Sequence, residues 1–397
     1  MTPSGPIAKR VCMIAYTLYT GDARVRREAE TLAATQAYDV RVLTLKEGDT
    51  ARDDVIEGVR VQQVNVAKYR GRNPVKYILS YVLFTWHALL AVTRLAGRGA
   101  IDIVHVHNMP NFLIFAAFVP MIQGKKVILD IHDTMPETFA ATFSPAHRRF
   151  WVPILALEER FCAALADRLI AVNHPQREVI LKRQPAARSK TIVSMNVPDP
   201  RLFTCDRAIE RSPQDSDRFK LVYHGTVSGR LNVGLAVEAV CRSIDVIPEI
   251  QLHVIGDGDA KEQLVRSCAQ RGFGDCIVFH DRVPFDRLIP FIRGMDLGVV
   301  SLESNVATDL MLPVKLMECL SVGVPVVAPK LKTIEYYFDP NMLFFFEPGD
   351  LLSLMAAILQ ARDRQERLTR VRNARAFLDR YNWNAHKATL LDLYEST

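Results

Sequence analysis

No Cys-x-x-Cys pair occurs in this chain, and its seven cysteines are scattered and odd in number. That pattern argues against a zinc or disulfide framework and suits a reducing cytoplasm. No G-x-G-x-x-G follows the first apolar run, which disfavours a dinucleotide cofactor. No G-x-x-x-x-G-K-[ST] occurs either, which disfavours a P-loop NTPase. Met1–Pro6 is polar and lacks an apolar core, so no signal peptide is expected. Acid is missing from one long stretch: Gly58 to Ile101 holds no Asp or Glu, but seven bases. No RNA- or DNA-binding motif accompanies that charge, so nucleic acid is not an expected partner.

The 397 residues are enough for two domains, at roughly 100–200 residues each. Residues 1–197 carry 26 Lys and Arg against 17 Asp and Glu, and residues 198–397 carry 24 against 27. Within the basic half, Tyr77–Thr93 runs uncharged and includes Tyr77, Ile78, Tyr81, Phe84 and Trp86. Ser80, Thr85 and His87 weaken it as a membrane span. Two readings stand: a core helix with a basic collar at Lys68, Arg70, Arg72 and Lys76, or a surface facing anionic lipid.

Strand and helix patterns alternate along both halves. Strands are expected at Arg10–Tyr16, Val40–Leu45, Val59–Val64, Ile101–His107, Lys126–Ile131 and Arg168–Val172, with a helix over Ala23–Ala34 capped by Asp22. Met195–Pro200 and the polar Thr204–Asp217 read as a linker. Strands at Phe219–Tyr223, Gln251–Ile255, Ile277–His280, Asp296–Ser301 and Val324–Ala328 then alternate with helices, among them Leu231–Ile244 and Leu351–Arg380. Trp383–Tyr394 is a last helix. The expected class is α/β, two facing nucleotide-binding-like folds with a cleft between them.

Polar residues gather at the carboxyl ends of these strands, where open α/β sheets bind ligands. Tyr16–Asp22, His105 with His107, His132-Asp133, His224-Gly225-Thr226, Gly256-Asp257-Gly258 and Ser301–Pro313 all lie there. His105 and His107 share one strand face, and with His132 or Asp133 they could hold a metal; hydrogen-bonded structure is the commoner use of such a pair. His132, followed by Asp133 and, past Pro136, by Glu137, has the stronger claim to a site role; the alternative is a helix start capped by Asp133. Gly225 lets a phosphate approach the backbone, and Arg230 follows at the expected start of the next helix.

Leu312–Val327 carries the most information. Pro313 opens a helix whose first turn presents free N–H groups, Lys315 adds a positive charge, and Glu318 sits three residues on. A cation at a helix start beside a carboxylate suits a nucleoside diphosphate: charge for the phosphates, two acceptors for the ribose diol.

With these residues in view, the chain resembles GT-B-fold glycosyltransferases of the retaining family 4 type, in particular bacterial cell-surface polysaccharide transferases. The resemblance runs through Asp22–Glu30, His105–Pro110, Leu129–Glu137, Tyr223–Thr226, Pro313–Val327 and Trp383–Tyr394. It implies an N-terminal acceptor domain over 1–197, a C-terminal donor domain over 198–381, and a helix at 382–397 packing back on the first. It implies a sugar nucleotide as donor, a glycan or polyprenyl-diphosphate-linked acceptor, and a hexosyl- or N-acetylhexosaminyltransferase. No metal or other cofactor is expected. The place of action would be the cytoplasm, peripheral on the inner membrane face. By the same resemblance, Gly225, Thr226, Arg230, Gly256, Asp309, Lys315, Leu316 and Glu318 bind the donor, with Arg230 and Lys315 neutralising the diphosphate. His132 touches the donor sugar near the reacting carbon. Asp22, Arg24 and Glu137 face the acceptor. One departure stands out. The family often carries a Glu eight positions before the second one, and here that position is Leu310, with Asp309 the nearest acid. The competing readings are a GT-B enzyme that does not transfer, such as a sugar-nucleotide epimerase, and an inactive membrane-associated scaffold.

Overall fold

Runs such as Val11–Ala15 and Val127–Leu129 are apolar on both faces of a strand, as parallel sheets covered by helices on both sides require. The computed structural model describes residues 8–48, 53–69, 74–199, 201–203 and 218–397. Met1–Pro6, Arg70, Arg72, Pro200 and the Thr204–Asp217 segment of the expected linker lie outside the described residues.

The chain divides into two units, Met1–Asn196 with Asn384–Thr397, and Val197–Trp383. The first unit holds strands β1 (Lys9–Ala15), β2 (Tyr38–Leu45), β3 (Asp53–Ile56), β4 (Val59–Val64), β5 (Ile103–His107), β6 (Lys126–Ile131), β7 (Arg168–Ala171) and β8 (Thr191–Val193). They form one sheet in the order β3-β4-β2-β1-β5-β6-β7-β8. Every pairing is parallel except that of β3 with β4. β3 is a polar edge strand, and its Asp53 and Asp54 are exposed, as a sheet edge in water favours. The order reverses between β1 and β5, so ligand-binding loops are expected beyond their carboxyl ends.

The second unit is a six-stranded sheet of β9 (Phe219–His224), β10 (Ile250–Ile255), β11 (Ile277–His280), β12 (Leu297–Val299), β13 (Val326–Pro329) and β14 (Phe344–Phe346). Its order is β11-β10-β9-β12-β13-β14, all parallel, and here the reversal falls between β9 and β12.

Helices cover these sheets with the faces their sequences make apolar. The Pro74–Gly97 helix buries Phe84, Ala88 and Val92 in the first core. The Val233–Ser243 helix buries Val233, Ala236, Val237 and Val240 in the second. Two expectations need correction. Leu351–Arg380 is not one helix but two, Leu351–Gln360 and Arg364–Arg380. Asp363 starts the second by accepting from the Gln365 and Glu366 amides at 2.7 and 3.1 Å. Leu231 does not begin its helix either. Gly229–Leu231 is a 3-10 turn, and left-handed Asn232 (φ 51°) separates it from the helix at Val233.

Candidate active site

In the second unit, the loops after β9 and β10 lie side by side. The Gly225 amide donates to the Ile255 carbonyl at 2.9 Å, and the Val227 amide to the Asp257 carbonyl at 2.9 Å. Glycine is required where they touch: Gly225 has φ +110° and Gly256 φ +142°, and a Cβ on Gly256 would sit 1.9 Å from the Gly225 carbonyl oxygen. The Val314–Ser321 helix, between β12 and β13, brings Lys315 and Glu318 to the same end of the sheet. Lys315 Nζ lies 3.8 Å from the centre of the Tyr223 ring, a cation held over an aromatic face. A Cβ on Gly225 would stand 3.4 Å from that same Nζ, so the ammonium faces the glycine loop.

A cavity of about 560 Å³ opens here, within the range of small-molecule sites. Its lining includes His224, Gly225, Thr226, Gly256, Arg282 and Glu318. Glu318 is half-buried and lies 3.6 Å from His224 Nδ1. Burial lowers Lys315 to about 8, against the smaller opposing influence of Cys319 and Glu318. Burial, then the Lys315 charge, lowers His224 to about 3, so His224 is a neutral imidazole.

Not every residue named for the donor lines this cavity. Leu316 is fully buried in the core, and its amide is engaged by the Pro313 carbonyl at 3.1 Å; the donor-binding role implied for it is corrected to packing. Arg230 sits exposed on the 3-10 turn rather than on a helix, outside the cavity lining. Asp309 accepts from Ser304 Oγ at 3.0 Å, and its carbonyl accepts from Thr333 Oγ1 at 2.7 Å, so it ties its own loop together. Asp257, expected at this strand end, and Arg282, which was not singled out from the sequence, also line the cavity. Arg282 comes two residues after the end of β11, so the same strand-end rule reaches it.

In the first unit, the ends of β5 and β6 carry a buried polar network. Asp130 accepts from Arg24 Nε at 2.8 Å and Nη2 at 2.9 Å, and from His132 Nε2 at 2.9 Å. Arg24 also donates to the Ser194 carbonyl at 2.9 Å and lies 3.2 Å from Glu28. Burial opposes the Arg24 charge, but Asp130 and Glu28 outweigh it and hold the guanidinium above the ordinary arginine value. Arg24 is therefore a buried ion-pair residue, which corrects its implied place facing an acceptor. Asp22 caps the Ala23–Ala34 helix, accepting from the Arg24 and Val25 amides at 3.2 and 3.1 Å. Glu137 is paired with Arg183, which also binds Glu159 at 2.6 Å.

His132 is half-buried, with its amide donating to Asn108 Oδ1 at 2.7 Å. Burial works against its charged form, but Asp130 raises its pKa above the ordinary histidine value. His105 and His107 stack with ring centres 4.1 Å apart, as two residues on one strand face should. His105 Nδ1 is 2.8 Å from the hydroxyl of Tyr394, on the Trp383–Glu395 helix.

Glu28, His105, His107 and Asp130 bring potential metal-ligand atoms within 4.8 Å of one another. The Arg24 guanidinium already contacts both carboxylates of this group. Burial raises the Glu28 pKa and lowers that of His105; burial also works against the Asp130 charge, but Arg24, His132 and His107 hold Asp130 well below the ordinary carboxylate value. A second, metallic cation would meet the Arg24 charge at close range.

Residues 23–197 match the sequence profile of Glycosyltransferase Family 4, and residues 218–363 that of Glycosyl transferases group 1. Sulfoquinovosyl transferase SQD2 of Arabidopsis thaliana is 25% identical over 298 residues, 72% of this chain and 54% of that protein. The chain thus spans about half the length of this curated relative. The structure resembles sucrose-phosphate synthase of Thermosynechococcus elongatus at a TM-score of 0.78 and 18% identity, covering 98% of both chains. It also resembles Anabaena Alr3699/HepE in complex with UDP-glucose at a TM-score of 0.71 and 15% identity, covering 98% of this chain and all of that one. With the two profiles accounting for most of both units, the chain belongs to the family 4 glycosyltransferases, transferase enzymes of the GT-B fold.

Proposed function

We propose that this chain transfers a sugar from a nucleoside-diphosphate sugar to a hydroxyl of a glycan or polyprenyl-diphosphate-linked acceptor. The transfer keeps the anomeric configuration and builds a cell-surface polysaccharide at the cytoplasmic face of the inner membrane. The observation that carries the reading is a cavity lined by the two glycine loops and Glu318, with the Lys315 ammonium facing the Gly225 loop beside it. A similar fold holding UDP-glucose, and a relative named as a sulfoquinovosyl transferase, support a sugar nucleotide as donor.

The chemistry follows from charge. Departure of the diphosphate leaves positive charge at the anomeric carbon and negative charge on the phosphates. Lys315, with Arg230 reaching in from its exposed turn, meets the phosphates. Glu318 takes two hydrogen bonds from the ribose diol. The acceptor hydroxyl attacks from the face the diphosphate leaves, and its proton passes to a departing phosphate oxygen. Position and charge stabilise the oxocarbenium-like state. The cations do the neutralising, so no divalent metal is required; activity undiminished by a chelator is the expected outcome. On the first unit, His132 addresses the donor sugar, and Asp22 and Glu137 border the acceptor.

The test is calorimetric titration with UDP-, GDP-, ADP- and dTDP-sugars, on the intact protein and on Glu318→Ala. One nucleotide class should bind and lose affinity in the variant. Equal binding by both proteins would remove Glu318 from the site and the reading with it.

A further inference from the structure

We propose that the outer faces of the Pro74–Gly97 helix, the Asn111–Ile122 segment and the Pro145–Leu165 helix form one surface that lies on an anionic lipid bilayer. This names the partner surface for the reaction proposed above. Its purpose rests on that reading; its physics does not.

The Pro74–Gly97 helix is apolar all round, which ordinarily means burial on every side. Only one side is buried here. Phe84, Ala88 and Val92 fill the core, while Ile78, Val82 and Trp86, one turn apart from each other, are 56%, 48% and 57% exposed. Lys76–Gly97 has a mean hydropathy of 1.5 over its most apolar window, yet only 28% of that window is buried.

The Pro145–Leu165 helix repeats the arrangement. Phe150, Ile154, Leu157, Phe161 and Leu165 recur at the three- and four-residue spacing of a single helical stripe, and all are exposed, Leu157 at 66%. The Asn111–Ile122 segment lies between, packed against both helices, with Phe118 and Ile122 exposed. The Phe115 and Phe161 rings are 6.2 Å apart and join the segment to the second stripe. Sixteen of the twenty-four exposed large apolar side chains among the described residues stand on these three elements. Single exposed apolar residues are ordinary; a joined field of them marks an interaction surface.

Charge selects lipid as the occupant. No acid lies anywhere between Gly58 and Ile101, and Lys76, Arg94 and Arg98 are exposed at the two ends of the first helix. Arg148 and Arg149 are exposed at the start of the second. Bases around an apolar centre complement anionic headgroups above acyl chains. Trp86 and Trp151 are both exposed on this surface, and tryptophan favours that boundary. A second copy of the chain would bring the same unbalanced bases against them. A span across the bilayer would pull Phe84, Ala88 and Val92 out of the core they fill.

The surface also leads to the acceptor loops. Tyr81, on the first helix, meets Tyr16 with ring centres 4.5 Å apart, just past β1, in the loop that runs on to Asp22. An acceptor held by a lipid would arrive beside those loops.

The test uses the full chain with phosphatidylcholine vesicles, with and without phosphatidylglycerol. Co-sedimentation should require phosphatidylglycerol, weaken with salt, and shift tryptophan emission to the blue. Trp86→Glu and Leu157→Glu are both exposed changes, and each should lower the bound fraction at least about tenfold. Their melting temperatures and sugar-nucleotide titrations should stay as in the parent, which separates loss of docking from loss of the donor site. Undiminished vesicle binding in both variants would overturn the proposal. So would a dimer dissolved by Trp86→Glu in a protein that ignores anionic vesicles.

Discussion

His132 donates to Asp130 across 2.9 Å, and Asp130 is fully buried with Arg24 on its other side. One carboxylate thus favours the charged form of a histidine at the sheet end and pairs an arginine in the core. Asp130→Asn should strip both partners at once. Breaking a buried pair from one side costs about 3–5 kcal/mol, readable in urea unfolding. The His132 pKa, raised in the parent, should fall in the variant, as NMR titration would show. The sign is fixed by that raised value. The stabilisation is complete below the unfolded histidine value near 6.5 and is lost as pH climbs through the folded one. An unmoved His132 titration would break the link.

Arg24→Ala separates structure from acceptor binding. If the guanidinium serves the core, stability drops by about 3–5 kcal/mol. A fully stable variant with a raised acceptor KM would restore the acceptor role.

Glu318→Ala should weaken sugar-nucleotide binding by about 2–4 kcal/mol, through loss of two charge-assisted hydrogen bonds. Its melting temperature should hardly move, because Glu318 lines the cavity rather than the core.

Lys315 makes donor affinity depend on pH. Burial holds it near 8, with Tyr223, His224, Glu318 and Cys319 around it. The free protein therefore loses this charge as pH rises past about 8, well before an ordinary lysine would. Affinity measured from pH 6.5 upward should be flat and then decline by up to about tenfold per pH unit. Lys315→Arg, whose charge does not titrate, should flatten the decline; a flat profile in the parent would refute the assignment.

Gly256→Ala places a methyl group 1.9 Å from the Gly225 carbonyl oxygen, at a φ that alanine resists. The two loops must part, which should cost at least about 2 kcal/mol and disrupt donor binding. A variant that binds and melts like the parent would show that the loops can separate freely.

Pattern located β4, β6 and β11 to the residue, β4 through its valines recurring among polar residues and the other two through largely apolar runs. Pro313 likewise marked the start of the short helix that carries Lys315 and Glu318. What one dimension hid was the direction of side chains. Arg24 lies among acceptor-like polar residues in sequence, yet Asp130, 106 residues on, draws it inward. Leu316 stands between Lys315 and Met317 on a helix only eight residues long, and helical rotation turns it to the core. The break at Asp363 was hidden because alanine and arginine keep helical propensity through it, and only the cap shows the restart. The stripe on Pro145–Leu165 follows from spacing alone, but its exposure depends on what the other face packs against.

Tyr394 is fully buried against His105, which precedes it by 289 residues. A ribosome adds about 5–20 residues each second, so tens of seconds separate synthesis of the strand from arrival of the helix that covers it. Through that interval the first sheet is made, but one of its central histidines still lacks its hydroxyl partner. The N-terminal unit, translated first, is therefore completed only by the last residues of this sequence.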